Sequence, residues 1–404
     1  MSFKDRRGGY DVFRIAQAAD TDIAGEPPDY LLAPPEDGPV RRGLRVDLFR
    51  PSVDMEAMLS LRATVWGAHH PHSSKAFQAW LYADAGLGEP RGVIARQRDG
   101  RVIGFVGLSR QRFRLNGSDT LAACGLDYMV RPRTGNLVFG LIALRMTQSW
   151  FDTARDLGCT FALAFPTANS NRFLTSQHIG GAPIYEPTIM IRPLLTAALT
   201  KRVHARVSRR ATTAALWGAA LNSRLISSLQ ARAAEVGEFT SEFGSEFDAL
   251  WQRVAPELDF AAVRDARYLS WRYKRHPIHD YRCLTLRSEG QLNGFAITRP
   301  GEVLGTDGLL LVDFLASSWA PRSSAPLIEA VVKQAQDAHR DVVAALATPG
   351  TRFYRALMLS GFYPLPRWLV RRPFHAIGID LYGGTLPPVM PARCHFTWGD
   401  VDVV

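Results

Sequence analysis

The sequence has no apolar run close to the roughly 20 residues that a membrane-spanning helix requires. Cysteine is scarce as well, and its four residues form neither a CxxC pair nor a Cys/His cluster with zinc spacing. Behind the charges of Met1 to Arg7 there is no apolar segment of the secretory type. These absences argue against disulfide-rich, zinc-binding and membrane-spanning classes. We expect a cytoplasmic protein with buried thiols and no metal.

Acidic residues are outnumbered by basic ones, which gives a formal net charge of +10. Such a balance favours acidic partners: nucleotide phosphates, an acyl carrier protein, an anionic membrane face or nucleic acid. A general bias towards arginine is the alternative explanation. The excess is densest in residues 196–235, where seven Lys and Arg face the single acid Glu235 and apolar residues recur at helical spacing. We predict a basic amphipathic helical linker there, either a spacer or a docking segment.

One sequence pattern occurs twice. In the first copy, Phe77-x-x-Trp80-x-Tyr82 is followed by a turn at Asp99-Gly100, and in the second, Tyr268-x-x-Trp271-x-Tyr273 is followed by a turn at Glu289-Gly290. Later echoes keep the same order and include Asp127 against Asp313. The spacing is too long for a solenoid repeat, so it indicates two copies of one domain.

Both copies predict the same order of elements: a helix, several antiparallel strands, a long helix, a buried strand and a short final helix. This order is typical of an α/β (α+β) fold with a mixed sheet. The predicted division is a flexible leader at 1–42, a first domain at 43–195, the linker at 196–235, a second domain at 236–380 and a tail at 381–404. Within the second domain we predict one helix over Ala261–Tyr273 and a strand over Trp368–Arg371.

The segment Val130-Arg131-Pro132-Arg133-Thr134-Gly135-Asn136-Leu137 joins a strand to the long helix of the first copy. Its place in the element order resembles the pyrophosphate-binding loop of the GNAT acyltransferases. The resemblance implies two tandem GNAT-like domains and an acyl-CoA donor, acetyl-CoA or longer, held by this loop in the first copy. It also implies a cofactor-site role for Asn169, which opens the short final helix; helix capping explains Asn169 equally well. The second copy lacks a glycine in the equivalent stretch.

The same resemblance suggests catalytic residues. Asp127 ends the strand before the loop, where the family often places its base, and burial would raise its pKa for that task. The alternative is a carboxylate that organises the following loop, as the equivalent Asp313 suggests. The tyrosine that the family uses as the leaving-group acid is absent, because Ser176 and Leu357 stand in its place. Nearby substitutes are His178, Tyr354 and Tyr128.

A second resemblance concerns the segment Asp265 to Pro277 and the tail around Asp400. Both are similar to tandem GNAT-like proteins of bacterial exopolysaccharide and envelope gene sets, a group that is itself similar to the FemAB peptidyltransferases. This implies a substrate-facing patch made of Asp265, Tyr268, Trp271, Arg272 and Asp400. The alternative is that the aromatic residues are core anchors and that Asp265 and Arg272 seat the helix.

The resemblances together imply an N-acyltransferase that moves an acyl group from acyl-CoA to an amino group of a sugar or of a lipid-linked or other envelope precursor. The donor would lie on the first-copy loop and the acceptor in the cleft between copies. The alternatives are a FemAB-like transferase that uses aminoacyl-tRNA and a non-catalytic binding module. Nucleic acid is otherwise not expected as a partner. Contact with an anionic membrane face stays open, as does the oligomeric state, with a monomer compatible with an internal pseudo-dimer.

Overall fold

A computed structural model describes residues 44–68, 70–82, 91–131, 136–166, 168–194, 235–319, 321–366 and 375–401. The predicted leader, nearly all of the basic linker and the strand at 368–371 lie outside these ranges. The first half of the chain contains β1 Arg45–Leu48, α1 Pro51–Trp66, α2 Lys75–Leu81, β2 Arg91–Arg96, β3 Val102–Leu115, β4 Ser118–Val130, α3 Asn136–Asp156, β5 Phe161–Ala164, α4 Ala168–Leu174, β6 Ala182–Tyr185 and β7 Thr188–Pro193.

The second half follows the same order with one additional short strand. Its elements are β8 Glu235–Phe239, α5 Ser245–Val254, β9 Phe260–Ala262, α6 Ala266–Leu269, a π-helical turn Ser270–Lys274, β10 Arg282–Ser288, β11 Gln291–Val303, β12 Thr306–Ala316, α7 Pro321–Asp337, β13 Val342–Ala347, α8 Arg352–Leu359, β14 Tyr363–Pro364 and β15 Ala376–Asp380.

The strands form two mixed sheets, which confirms the predicted α/β class. One sheet has the order β1-β2-β3-β4-β5-β15-β6, with β9 joined to the end of β3, and the other has the order β14-β7-β13-β12-β11-β10-β8. The hairpins β2–β3 and β10–β11 turn where the sequence predicts, at Gly100 (φ +88°) and Gly290 (φ +74°), in the left-handed region that favours glycine.

Each sheet contains one strand from the other half of the chain. β7 pairs with β13 from Val342↔Pro193 to Ala347↔Thr188, so it belongs to the second sheet. Reciprocally, β15 lies between β5 and β6 in the first sheet, with Gly378 opposite Leu163 and Ala182. The two sheets therefore do not divide at the predicted linker, and the domain boundaries at 43–195 and 236–380 stay a prediction.

The single helix predicted over Ala261–Tyr273 is wrong in its first part. Residues 260–262 form β9, which pairs with β3 from Phe113↔Ala262 to Leu115↔Phe260. The helix begins only after Asp265, whose side chain accepts a hydrogen bond from the Tyr268 amide at 3.0 Å. In a short apolar run the hydrophobic periodicity does not distinguish a strand from a helix. These residues form a strand because the end of the long β3 is available for pairing.

The faces of the first sheet are covered by different partners. Helix α3 packs on one face, where Met146 and Trp150 are buried against Val106 and Ala123. The other face carries α1 and α2, and there the second half of the chain joins the same apolar core through Trp271. All four cysteines are buried thiols. No helix of the described ranges is long and apolar enough to cross a membrane.

Candidate active site

Strands β4 and β5 are paired at one end only. Their parallel register runs from Ala122↔Phe161 to Cys124↔Leu163, whereas β4 continues to Val130. On its other edge, β4 contains a bulge: Phe105 opposes Met129 and Gly107 opposes Leu126, which leaves Asp127 and Tyr128 opposite one residue. Asp127 has φ +49°, the left-handed conformation that a bulge of this kind requires. Beyond Cys124, therefore, the edge of β4 that faced β5 is open to a ligand.

A small pocket, part of it open to solvent, lies at this divergence between the two halves of the chain. From the first half it is lined by residues on β3, β4, the end of α2 and the segment after β5; from the second half it is lined by the π-helical turn and the tail. The lining residues used below are Ser109, Gln111, Cys124, Trp271, Arg272 and Asp400.

Three polar oxygens of the pocket lining have no hydrogen-bond partner in the described part of the chain. They are Ser109 Oγ, Gln111 Oε1 and Asp400 Oδ1. Buried polar atoms in folded proteins are nearly always paired, so a group of three in one pocket indicates a polar ligand or ordered water. All three atoms are able to accept hydrogen bonds, which matches a ligand rich in N–H and O–H donors.

One carboxylate oxygen of Asp400 accepts hydrogen bonds, and the other has no partner among the described residues. Its Oδ2 accepts from Arg264 Nη2 at 2.6 Å and from the Thr397 amide at 2.8 Å. Burial raises the pKa of the Asp400 carboxyl, and the neighbouring Asp313 carboxylate adds to this, while Arg264 opposes both effects. The net result is a pKa above the ordinary aspartate value, on a pocket-lining carboxylate whose Oδ1 has no hydrogen-bond partner among the described residues. This combination is suited to accepting a proton.

In the second copy, aromatic rings lie near the equivalent divergence of strands. Strands β12 and β13 also diverge, after Leu311↔Ala345. The Trp319 ring lies near this end, with its centroid 6.2 Å from that of Phe353 and 5.3 Å from that of His395 in the tail. Phe314 stacks on Phe353 at 5.2 Å. The second copy therefore has a cluster of aromatic rings, joined by the tail, near the end of the sheet where the first copy has its pocket.

Asp127, the predicted base, lies in an ion pair on the face that carries α1 and α2. Arg62 donates to its Oδ1, and the Tyr82 hydroxyl donates to its Oδ2 at 2.9 Å. Burial raises the pKa of this carboxyl, but the Arg62 charge and the hydrogen bonds from Arg62 and Tyr82 outweigh burial. The pKa therefore lies below its usual value, contrary to the raised pKa that we predicted. Its role as the base stays a prediction. The ion pair with Arg62 argues against that role, because it makes the carboxylate a weaker base.

The second copy repeats this arrangement. Asp313 accepts from Arg264 Nε at 2.8 Å and from the Tyr273 hydroxyl at 2.8 Å. Tyr82 and Tyr273 both belong to the repeated Trp-x-Tyr pattern. The same carboxylate–arginine–tyrosine set occurs in both copies, which favours a scaffold role for the two aspartates.

We expect Asp127→Asn to lower the free energy of unfolding at pH 7 by about 2 kcal/mol, because buried Arg62 loses its counter-ion. A lowered folded-state pKa contributes stability that is present above the unfolded pKa, about 3.9, and is lost as the pH falls through the folded pKa. The difference between wild type and variant should therefore shrink in acid below about pH 4. Urea unfolding at a series of pH values measures it. A difference that is constant with pH would contradict the ion pair.

The other two predicted catalytic residues lie elsewhere. The Tyr128 hydroxyl donates to the Ala143 carbonyl of α3 at 2.9 Å, and burial raises its pKa to about 12. His178 follows α4 and is exposed. Asp127, Tyr128 and His178 are thus on different sides of the first copy, and the described pocket lining includes none of them.

Most of the predicted donor loop lies outside the described residues. Val130 ends β4, and the Arg131 amide donates to the Ile103 carbonyl at 2.8 Å, so the loop leaves the sheet where we predicted. Arg133, Thr134 and Gly135 are not described, nor are the side chains of Asn136, Leu137 and Asn169. Helix α3 does begin at Asn136, directly behind the loop.

Three of the five predicted substrate residues line the pocket: Trp271, Arg272 and Asp400. Arg272 Nε donates to the Gly399 carbonyl at 3.0 Å and its Nη2 to the Val401 carbonyl at 2.6 Å, so it holds the tail in place. The other two are structural in this arrangement. Tyr268 donates to the Gly399 carbonyl at 2.9 Å, and Asp265 caps α6 and pairs with Arg112 of β3.

The repeated tryptophans join the two copies directly. Trp80 Nε1 donates to the Trp271 carbonyl at 2.8 Å, and Trp271 Nε1 donates to the Trp80 carbonyl at 3.0 Å. Their rings stack with centroids 5.1 Å apart and an interplanar angle of 15°. The contact is reciprocal, as at an interface between identical subunits, and it forms a wall next to the pocket.

Sequence reasoning missed Ser109 and Gln111. Both lie on β3 on the face that also carries Phe105 and Phe113, so polar residues interrupt an otherwise apolar face. That interruption at alternate positions was the available signal.

No protein-family model matches the sequence, and no curated protein matches it. Solved structures do share the fold. A conserved protein of unknown function from Enterococcus faecalis, described as a probable N-acyltransferase, has a TM-score of 0.55 at 10% identity, covering 84% of this chain and 73% of that one. A GCN5-related N-acetyltransferase from Anabaena variabilis also gives 0.55, at 11% identity over 83% of this chain and 73% of its own.

The N-myristoyltransferase of Saccharomyces cerevisiae, solved with bound myristoyl-CoA, has a TM-score of 0.52 at 11% identity and covers 85% of this chain and 80% of its own length. At such identities the likeness concerns the fold alone. The chain has the fold of the GCN5-related N-acetyltransferases, as its element order predicts.

Proposed function

We propose that this protein is an N-acyltransferase that uses an acyl-CoA donor and accepts a primary amine in the pocket between its two copies. One observation carries the proposal. The pocket joins the open edge of β4 to the unpartnered Oδ1 of Asp400, a carboxylate whose pKa burial raises. An extended ligand is able to continue the sheet at such an edge, while a carboxylate beside it removes a proton from the attacking amine.

In the proposed reaction, the amine nitrogen attacks the thioester carbonyl, a C–N bond forms and the C–S bond breaks. The Asp400 carboxylate takes the proton from the nitrogen, and the CoA thiolate takes one from solvent. Backbone N–H groups of β4 beyond Cys124, on the edge where β5 no longer pairs, would hold the carbonyl oxygen. The donor phosphates would lie at the loop after Val130, where the start of α3 favours anions.

The acceptor side favours a polar amine. Ser109 and Gln111 offer hydrogen-bond acceptors next to Asp400, and Trp271 offers an aromatic face. Aromatic faces next to hydrogen-bonding groups suit a sugar ring or a small polar amine. The acceptor we propose is accordingly an amino sugar or a related envelope precursor. Peripheral contact with a membrane and an acyl carrier protein as partner stay predictions.

We expect acetyl-CoA to raise the melting temperature of the full chain in a thermal-shift titration, since a ligand at 100 times its Kd adds about 2.7 kcal/mol of stability. Myristoyl-CoA, free CoA and a charged tRNA are compared at matched concentrations, and ATP controls for non-specific phosphate binding. Stabilisation by no CoA ester would sink the proposal. A shift with charged tRNA alone would favour the aminoacyl-tRNA-dependent alternative.

A further inference from the structure

Beside the pocket, imidazoles and guanidinium groups converge at the contact between the copies. We call this the seam cluster: His72, Arg272, His276, His279, Tyr281 and Arg299. The His276 ring lies 4.3 Å from that of Trp80, 4.9 Å from that of His279 and 5.4 Å from that of Tyr281, between ring centroids. His72 reaches the same wall by stacking on Phe77 at 4.1 Å, and Phe77 in turn meets His276 at 5.9 Å.

Arg299 is the least expected member. It lies on β11 and is 3% exposed. Its Nη1 donates to the Pro300 carbonyl at 2.9 Å, it shares a hydrogen bond with Tyr281, and its Nε has no partner in the described ranges. No described carboxylate forms an ion pair with it. Arg62, Arg192 and Arg264 are equally buried, and each pairs with a carboxylate: Asp127, Glu329 and Asp313, respectively.

Burying a guanidinium without a counter-ion costs several kcal/mol. The surrounding charges increase that cost. Arg272 acts on Arg299 from the π-helical turn. The carboxylate that acts on His72, Asp127 of β4, is already paired with Arg62. The charged groups that act on His276 and His279 are Arg272, Arg299 and other histidines. The site therefore has positive charge that a bound anion would balance.

The imidazoles of the cluster are able to donate hydrogen bonds to an anion even when they are neutral. Burial, together with a smaller contribution from the neighbouring arginines, lowers the pKa of His276 to about 2 and that of His279 to about 3. At neutral pH each ring is therefore neutral and carries one N–H donor. His276 uses Nδ1 to accept from the Ile278 and His279 amides, which leaves its proton on Nε2. The described residues contain no set of metal-ligating side chains that would make this a metal site.

The seam cluster adjoins the pocket through Arg272, which belongs to both. The Arg272 guanidinium lies 5.6 Å from the centre of the Trp80 ring, and the His276 ring is another neighbour of Trp80. The cluster also lies on the face of the first sheet that carries α1 and α2. The predicted donor loop leads into α3, which covers the opposite face. An anion bound by the seam cluster would therefore be part of the acceptor and not a phosphate of CoA.

We infer that the seam cluster binds a phosphate group of the acceptor, so that the preferred substrate is a phosphorylated amine such as an amino-sugar phosphate. The inference rests on the proposed function, because it assumes that the amine lies at Asp400. A free sugar phosphate, a nucleotide sugar and a lipid-linked sugar share this chemistry, and Arg299 and the two histidines recognise the phosphate that they have in common.

The test is calorimetric titration of the full chain with glucosamine 6-phosphate and with glucosamine. Wild type should bind the phosphorylated sugar at least about tenfold more tightly, the worth of one hydrogen bond to a charged group. Arg299→Met should remove this preference. Arg282→Met is the matched control, because Arg282 lies on neighbouring β10 with 65% of its side chain exposed, and it should keep the preference.

A stability measurement separates binding from scaffolding. Without ligand, Arg299→Met should melt no lower than wild type, because methionine fills similar volume and removes a buried unpaired charge. Inorganic phosphate should raise the melting temperature of wild type and leave that of Arg299→Met unchanged. If Arg299→Met does not fold, His279→Gln takes its place, with a severalfold loss of the preference expected. Equal binding of the two sugars by wild type, or a full preference in either variant, overturns the inference.

Acetyl-CoA and its 3′-dephospho form are titrated into the same proteins. Arg299→Met should bind both as wild type does. A loss of acetyl-CoA affinity in Arg299→Met, with the sugar preference intact, assigns the phosphate to the donor and overturns the inference. A wild type that prefers the sugar phosphate but binds no CoA ester contradicts the proposed function and leaves the phosphate site standing.

Discussion

Asp400→Asn should lower kcat by at least about a hundredfold, the usual contribution of a positioned general base, and should leave the Kd for acetyl-CoA unchanged. An asparagine keeps the hydrogen bonds of the tail but does not take a proton. The activity of wild type should also require the deprotonated carboxylate. Because burial raises the pKa of Asp400, kcat/KM should fall as the pH drops through a value above about 3.9, the ordinary aspartate pKa. The variant should lack this dependence.

Asp313→Asn is the matched control for this experiment. Asp313 and Asp400 both pair with Arg264 inside the protein, at 2.8 Å and 2.6 Å. The two substitutions therefore weaken the same buried ion network, but of the two aspartates only Asp400 lines the described pocket. Both variants should unfold more easily, and only Asp400→Asn should lose turnover at a temperature where both are folded. Equal losses of turnover would show that the network merely holds the tail. Turnover that survives in Asp400→Asn and fails in Asp127→Asn would return the role of base to Asp127.

Trp80→Ala and Trp271→Ala should each lower the free energy of unfolding by about 3–5 kcal/mol, the cost of removing a large buried aromatic side chain. Each loses a stacked ring, an indole hydrogen bond and the packing of the partner. The double variant should cost less than the sum, because either single change already breaks the reciprocal contact. We expect a coupling energy of about 1–3 kcal/mol from urea unfolding of the four proteins.

The control is a second double-mutant cycle, in which Trp150→Ala takes the place of Trp271→Ala. Trp150 lies on α3 and is buried against the opposite face of the first sheet, where its Nε1 donates to the Gly107 carbonyl at 2.9 Å. Trp80→Ala and Trp150→Ala should be additive within about 0.5 kcal/mol. A coupling between Trp80 and Trp271 no larger than this would mean that the stacked pair does not join the copies energetically.

The sequence was sufficient to predict the local elements because they follow from local causes. The Asp99-Gly100 turn, the capped helix at Arg352–Leu359 and the apolar run at Val342–Ala347 each have a signal within a few residues, and the structure has all three. Pairing between segments that are distant in sequence could not be predicted from such local signals. That β15 enters the first sheet between β5 and β6 depends on which edge is free once everything else has folded.

The candidate site shows the same limit. Trp271, Arg272 and Asp400 were predicted from a resemblance, and the pocket brings them together. The pKa of Asp127 was predicted in the wrong direction because Arg62, the partner that decides it, lies 65 positions away with no pattern linking the two. Arg299 and the seam histidines were not predicted as a group, since they meet only where the copies pack.

The reciprocal strand exchange governs when the protein is able to fold. The first sheet lacks β15, the strand between β5 and β6, until residues 376–380 have left the ribosome. Strands β1 to β6 of the same sheet are synthesised much earlier. Until then the edge of β5 is exposed, and sheet edges of this kind are where chains aggregate or swap with one another. The final closure is also a contact of long sequence separation, which makes folding slow. A protease cut between β7 and β8 in the mature protein should therefore leave two fragments that stay together, since each holds a strand of the other.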